Sequence, residues 1–290
     1  MKDLNKEKFH YDFRTQEYFY IINSEEFDED LVYIINEGIK NIIVASESYK
    51  WTGVEALLLI PNLKRLFIAV GAFDMLDLKK LNGISDLDLG EKIPRINLSG
   101  LTSLNYLSFQ YPRKNVFLGM PDLINLNELL IRECRDLQFN WVTNFANFRN
   151  LEKLELTLCY LPEDISFVKS LLELRELEIH YNPKPFRLKN LMYCRKLEKL
   201  ILAQCPQFQN KEDIPLLQSV KWLRLTDCGT VEDCSIFYDM PNLEVLIITG
   251  KTYFVNGDLS GMMGRLKHFG FDNKRHYNLK AEDFPSIFKK

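Results

Sequence analysis

Apolar residues return along this chain in one fixed frame. The clearest copy is LEKLELTLC, residues 151–159, in which leucines hold the first, fourth and sixth places and a cysteine holds the ninth. Self-similarity at a period of about 20 to 50 residues is typical of architectures that stack one structural unit. The frame recurs at steps of 20 to 25 residues, with its first places at Ile39, Leu63, Ile84, Leu104, Leu126, Leu151, Leu174, Leu197, Val220, Leu243 and Leu266.

The frame predicts a β-strand in every unit. Apolar residues hold the fourth and sixth places throughout, as in Leu154 and Leu156, and polar residues are common between them. This alternation is typical of a strand with one buried face. Because the chain returns after so few residues, each strand is expected to lie parallel to the one before it. The more variable segments between strands predict short helices, 3₁₀ turns or extended pieces.

Both ends of the chain fall outside the frame and predict caps. Residues 1–38 contain a β-prone run, Tyr18–Ile22, followed by apolar residues at helix spacing, which predicts a short strand and a helix. The frame covers residues 39–273 in about eleven units, and residues 274–290 carry apolar side chains that suit a C-terminal cap. Terminal units of stacked repeats shield the apolar ends of the stack.

The frame resembles that of the leucine-rich repeat superfamily, Leu-x-x-Leu-x-Leu-x-x-Asn/Cys-x-Leu. The ninth place holds the expected residue type in five successive units, namely Cys134, Cys159, Asn182, Cys205 and Cys228. The resemblance implies an α/β solenoid, a curved horseshoe with a parallel β-sheet on the concave face and short helical, 3₁₀ or extended returns on the convex face. It assigns no subfamily, although a bacterial-type intracellular protein fits it. Flanking units depart from the motif with Glu47, Gly71, Lys92, Pro112, Lys251 and Lys274.

The five ninth-place residues predict a buried structural ladder. A polar side chain at the turn that leaves a strand can hydrogen-bond backbone groups that would otherwise stay unpaired. Neighbouring strands lie about 4.8 Å apart, so adjacent cysteines could also form a disulfide, a metal site or a reactive thiol pair. We expect the five side chains to be buried, and we expect no disulfide, metal site or reactive thiol pair among them.

Composition excludes several classes of function. The chain is 46% apolar and 27% charged, with a net charge of -3, which gives no general attraction to nucleic acid or anionic lipid. No apolar run approaches the roughly 18 residues of a membrane helix, and the N-terminus does not read as a signal peptide. We therefore expect a cytoplasmic monomer with no nucleic-acid or membrane partner. The alternative is a secreted or cell-surface protein whose signal peptide is missing.

The sequence contains no recognisable catalytic or cofactor motif. His10, His180, His268 and His276 show no metal-ligand spacing, and no glycine-rich phosphate loop is present. His180 has acidic neighbours on its strand but no nucleophile within predicted reach. We expect neither enzymatic activity nor a cofactor or metal.

Candidate binding residues lie at the third, fifth, seventh and eighth places, which should project from the concave face because side chains alternate along a strand. These places carry ten acidic and five basic residues, so the face is more acidic than the whole chain. Aromatic residues and arginine are the usual binding hot spots. The residues expected to contact a partner are Asp86, Asp88, Tyr106, Tyr111, Arg132, Glu133, Glu155, Glu178, His180, Tyr181, Trp222 and Arg224.

These observations favour non-enzymatic protein–protein recognition on an acidic, aromatic-studded concave face. Charge complementarity predicts a partner with a basic patch. By analogy with the superfamily, the protein would act as an inhibitor, an immunity protein or an adaptor. The recognition subunit of a ligase or phosphatase assembly is the alternative.

Overall fold

The computed structural model describes residues 7–45, 47–50, 53–69, 76–90, 95–112, 116–208 and 211–288. Gly71 and Lys92, and the outermost residues of both predicted caps, lie outside these ranges. The chain forms two compact units, residues 1–131 and 132–290.

The first unit is a sheet of mainly parallel strands. Its elements are β1 (Phe9–Asp12), β2 (Glu17–Ile22), α1 (Phe27–Glu37), β3 (Asn41–Val44), β4 (Arg65–Ile68), β5 (Leu76–Asp77), β6 (Asp86–Leu89), β7 (Arg95–Asn97), β8 (Tyr106–Gln110), β9 (Val116–Leu118) and β10 (Glu128–Arg132). The strand order is β1-β2-β3-β4-β6-β8-β10, in which β1 and β2 form an antiparallel hairpin and the pairs from β2 to β8 are parallel. Strands β5, β7 and β9 form a separate small parallel sheet.

The second unit repeats one parallel ladder. Its elements are α2 (Trp141–Phe145), β11 (Lys153–Thr157), β12 (Glu176–His180), β13 (Lys199–Ala203), β14 (Trp222–Thr226), β15 (Val245–Thr249) and β16 (His268–Phe271). Each strand pairs with the next in the same register, so Leu154, Leu177 and Leu200 lie side by side. Frame places therefore become columns across the sheet.

The core of each unit lies between the strands and the segments that return the chain. Every frame residue at the first, fourth and sixth places is buried except the half-buried Ile39. On the return side of the second unit, the buried ring of Phe145 lies 5.1 Å from Phe148 and 4.9 Å from Phe167, between ring centroids. The chain returns there mostly through short 3₁₀ helices, at 166–170, 189–193, 211–216, 234–237 and 260–262.

The N-terminal helix α1 is held by one buried carboxylate. Asp30 is 2% exposed and accepts hydrogen bonds from the Tyr20 hydroxyl and the Asn23 N–H, both at 2.7 Å. The ammonium group of Lys8 lies 2.6 Å from the same carboxylate. The helix ends at Gly38, whose φ of 64° lies in the left-handed region that glycine adopts without steric cost. Among the described residues, no helix has the length and apolar content of a membrane span.

A left-handed residue follows each of the strands β10 to β15, at the eighth frame place. The N–H of Leu158 donates to the His180 carbonyl at 2.9 Å, and the N–H of Tyr181 donates to the Ala203 carbonyl at 2.9 Å. Few residues other than glycine adopt positive φ, so the ladder itself holds them there. This turn places the ninth side chain in the core. The residues concerned are Glu133, Leu158, Tyr181, Gln204 and Asp227, with φ from 54° to 57°, followed by Gly250 at 71°.

Candidate binding surface

The outer face of the second unit consists of the side chains that β11 to β16 turn away from the core. Register places Glu155 beside Glu178 and Lys199 beside Trp222. The predicted binding residues at these places lie close enough to form one continuous surface on rigid strands. Tyr181 is the most exposed of the predicted aromatic residues, at 48%.

Much of the predicted acidity of this face is neutralised by its own cations. Glu178 accepts a hydrogen bond from the Lys199 ammonium at 2.9 Å, and its other oxygen lies 3.0 Å from Nε2 of His180. Lys199 also contacts Glu176 and lies 5.0 Å from the Trp222 ring centroid. Hydrogen bonding to His180, reinforced by Lys199, holds the pKa of Glu178 well below its usual range. Glu178 therefore stabilises the face through its contacts with Lys199 and His180.

We expect Glu178→Gln to lower the free energy of unfolding by about 1 to 2 kcal/mol at pH 7. The folded-state pKa is depressed below the ordinary value of 4.5, so the stabilisation is present above pH 4.5 and is lost as the pH falls below it. Urea unfolding at pH 7 and pH 3 measures the free energy of unfolding of both proteins. The difference between variant and wild type should be smaller at pH 3 than at pH 7.

Glu155→Gln is the matched control for that experiment. Glu155 is the register neighbour of Glu178, and its recorded contact is a long hydrogen bond of 3.4 Å from the Thr157 hydroxyl. We expect a change within about 0.5 kcal/mol at pH 7, because a single long hydrogen bond is lost. If Glu178→Gln lowers the free energy of unfolding by the same amount at both pH values, the assigned ion pairing is contradicted.

Two further predicted residues project from this face at β14. Arg224 is exposed, and its Nε donates a hydrogen bond to the Thr226 hydroxyl at 3.1 Å. Trp222 is half-buried beside Lys199. Tyr181, directly after β12, adds a second aromatic group to this face, with β13 between β12 and β14. Arg132 and Glu133, at the start of this unit, are both half-buried.

The first unit corrects the expectation that Tyr106 and Tyr111 are exposed. Tyr106 is 6% and Tyr111 is 8% exposed. The β1–β2 hairpin folds over this part of the sheet and places the Arg14 guanidinium 3.5 Å from the Tyr106 ring centroid. Burial raises the pKa of Tyr106 to about 12. Tyr111 belongs to the same buried stretch, directly after β8.

Asp86 and Asp88 lie beneath the same hairpin. Asp86 accepts a hydrogen bond from Arg14 at 3.1 Å, and its second oxygen lies 3.5 Å from Nε of Arg65. A cavity of about 100 Å³ lies beside these groups and is lined in part by Asp88 and His10. The hairpin contact is absent from the sequence prediction, in which residues 1–38 were only a cap.

A local signal for this hairpin does exist in the sequence. Asp12 accepts hydrogen bonds from the N–H groups of Arg14 and Thr15, at 3.3 and 3.1 Å, and Gln16 has a φ of 56°. Asp commonly nucleates such turns through its side chain. The segment DFRTQE between two aromatic runs thus indicates a turn, but it does not indicate where the turn lies.

The ninth-place side chains are buried where each turn faces the core. Cys205 Sγ lies 3.6 Å from the Ile179 carbonyl, and Cys228 Sγ lies 3.3 Å from the Leu202 carbonyl. None of the six cysteines forms a disulfide, and burial raises the pKa of Cys159 to about 12. In its unit Asn182 takes the place of the cysteine. Its side-chain amide donates a hydrogen bond to the Lys184 carbonyl and accepts one from the Lys184 N–H. Among the described residues, no group of three or more His, Cys, Asp or Glu side chains is placed to hold a metal ion.

Comparison with known proteins identifies the fold. No known family model matches the chain. No curated protein matches it either. Among solved structures, an internalin of Listeria monocytogenes is similar at 18% identity with a TM-score of 0.56, over 81% of this chain and 69% of its own.

A second structure, internalin C2 of the same organism, has 18% identity over 67% of this chain and 74% of its own, with a TM-score of 0.36. Internalins are leucine-rich repeat proteins, and the first likeness confirms the predicted α/β solenoid. The repeating frame, the parallel strand ladder and this likeness show that the chain has the fold of leucine-rich repeat proteins.

Proposed function

We propose that this protein is a non-enzymatic recognition module that binds another protein on the outer face of its strand ladder. The observation that carries the proposal is a set of aromatic and guanidinium groups on this face: Tyr181 directly after β12, and Trp222 and Arg224 on β14, with β13 between them. Aromatic and arginine side chains dominate binding energy at protein interfaces. Rigid strands hold them in place before the partner arrives, which reduces the entropic cost of binding.

The proposed partner carries a basic patch. Glu176 and Glu178 are occupied by Lys199, so the partner would meet Glu155 and Glu133 instead. Charge complementarity at these half-buried acids would mainly raise the association rate. An inhibitor, immunity or adaptor protein acting as a monomer fits this arrangement.

A cytoplasmic location is part of the proposal. None of the six buried cysteines forms a disulfide, including Cys205 and Cys228, which follow the adjacent strands β13 and β14. Reducing compartments maintain free thiols, whereas secreted proteins tend to use them as disulfides. This supports the cytoplasm over the cell surface.

Affinity capture with matched variants tests the proposal. Tyr181→Ala should weaken binding of a captured partner by about 10- to 100-fold, as expected for an aromatic hot spot. Tyr193→Ala is the control, because Tyr193 is equally exposed at 50% but lies on the return side. Mass spectrometry would identify the partner, and calorimetry would measure its affinity for each variant.

A partner that binds the Tyr181→Ala and Arg224→Ala variants as tightly as wild type would contradict the proposed surface. A partner lost with Tyr193→Ala alone would assign recognition to the return side. Circular dichroism of each variant would verify that the repeat is intact.

A further inference from the structure

The first unit contains a guanidinium site that is filled by the chain itself. The Arg14 guanidinium lies over the Tyr106 ring at 3.5 Å and donates a hydrogen bond to Asp86 Oδ1 at 3.1 Å. A cation above an aromatic face and a carboxylate at its edge are the two contacts that a guanidinium makes best. Both are made here at once, by residues on adjacent strands of the sheet.

The groups that hold Arg14 are fixed independently of it. Asp86 Oδ2 accepts a hydrogen bond from the Ser85 hydroxyl at 2.7 Å and lies 3.5 Å from Arg65 Nε. These contacts orient the carboxylate so that Oδ1 points at the incoming guanidinium. The hydroxyl of Tyr106 hydrogen-bonds to the Ser108 side chain. The site is therefore preorganised, which favours binding of a ligand.

Arg14 itself is carried by the turn of the terminal hairpin. It lies in the short loop between β1 and β2, and β1 is the terminal strand of the sheet order. Its side chain is 36% exposed, and the adjacent Phe13 is 86% exposed. An incoming guanidinium would make the same ion pair with Asp86 and the same ring contact that Arg14 gives up. A competing guanidinium can therefore replace it at low cost.

We propose that Asp86 and Tyr106 form an arginine-recognition site for the partner protein, and that Arg14 is an internal competitor that fills the site until the partner arrives. The inference rests on the proposed function, because it takes the partner to be a protein and names arginine as the basic group that the first unit recognises. The hairpin lowers the apparent affinity by the fraction of molecules in which the site is filled. Recognition thus selects partners that present an arginine able to displace it.

The probe for this site is the blocked tripeptide acetyl-Gly-Arg-Gly-amide, with acetyl-Gly-Lys-Gly-amide as its control. Binding would be followed by NMR titration of the ¹⁵N-labelled full chain, which measures millimolar affinities. Arg14→Gln should bind the arginine peptide at least about tenfold more tightly than wild type, because the competitor is gone. The lysine peptide should bind several-fold more weakly, since an ammonium cannot stack and bridge as a planar guanidinium does.

The double variant Arg14→Gln/Asp86→Asn keeps the aromatic face but removes the charged acceptor, so it should lose the gained affinity. Arg14→Lys is a milder second variant that retains the charge, and it should show intermediate affinity. The proposal is overturned if Arg14→Gln binds the arginine peptide no better than wild type. It is equally overturned if the double variant binds as tightly as Arg14→Gln.

The tripeptide assay needs no knowledge of the partner, so its outcome is separate from that of affinity capture. Peptide binding without a captured partner would support the arginine site and count against the proposed function. Capture that depends on Tyr181, with no peptide binding to Arg14→Gln, would support the function and remove the arginine site.

Discussion

Phe145→Ala is expected to lower the free energy of unfolding by about 3 to 5 kcal/mol, as for other fully buried phenylalanines. Phe145 has no exposed surface. Its ring centroid lies 5.1 Å from Phe148, 4.9 Å from Phe167 and 5.6 Å from Trp141. Truncation removes the central ring of this cluster, and the surrounding rings can collapse only partly into the space. The return side of the second unit should loosen first.

Val142→Ala is the control on the same helix. Val142 is 57% exposed, so its truncation should change stability by less than about 0.5 kcal/mol. Urea unfolding followed by circular dichroism measures both variants, and hydrogen exchange locates the loss. A loss below 1 kcal/mol for Phe145→Ala would show that the aromatic cluster does not hold the return side together.

Asp30→Ala is expected to cost about 3 kcal/mol, near the lower end of the range for breaking a buried charged contact. The carboxylate is 2% exposed and accepts hydrogen bonds from Tyr20 and Asn23. Its removal leaves the Tyr20 hydroxyl without its acceptor and the Lys8 ammonium with the weaker partner Glu26 alone. Lys8 is 26% exposed, and hydration of its ammonium keeps the cost from rising further.

Asp28→Ala provides the comparison for this variant. Asp28 is an exposed acid in the first turn of the same helix, where interaction with the helix dipole contributes about 0.5 kcal/mol. Hydrogen exchange should show faster opening of α1 in Asp30→Ala and near wild-type protection in Asp28→Ala. Equal protection of α1 in both variants would mean that packing of residues such as Ile34, and not the carboxylate, holds the helix.

The repeating core was predictable because its information is periodic and local. Leu151, Leu154 and Leu156 have the same spacing as their counterparts in every other unit, and a parallel ladder is the arrangement that buries all such triplets together. The ninth place was readable for the same reason, since Cys159 and Cys205 recur in register. One local detail was missed. Left-handed residues at the eighth place, such as Leu158, are imposed by the ladder and have no signature in their own side chains.

The sequence predicts which frame places face outward on the strands, but it does not predict the contacts between the side chains at those places. Alternation along the strands places Glu155, Glu178 and Arg224 on the outer face, and the structure has them there. Which acids remain available depends on side-chain pairing across strands, as between Glu178 and Lys199. A count of charges by column cannot distinguish a paired carboxylate from one that a partner can reach.

The sequence by itself determined the repeat, the strand positions and the burial of the frame, because a period of hydrophobic residues specifies which side of every strand meets the core. Only the tertiary structure decided that Tyr106 is covered and that Arg14 fills the site beside Asp86. Those groups lie far apart along the chain, 72 residues in the case of Arg14 and Asp86. Their contact depends on how the terminal hairpin folds back over the sheet, which no local pattern of residues encodes.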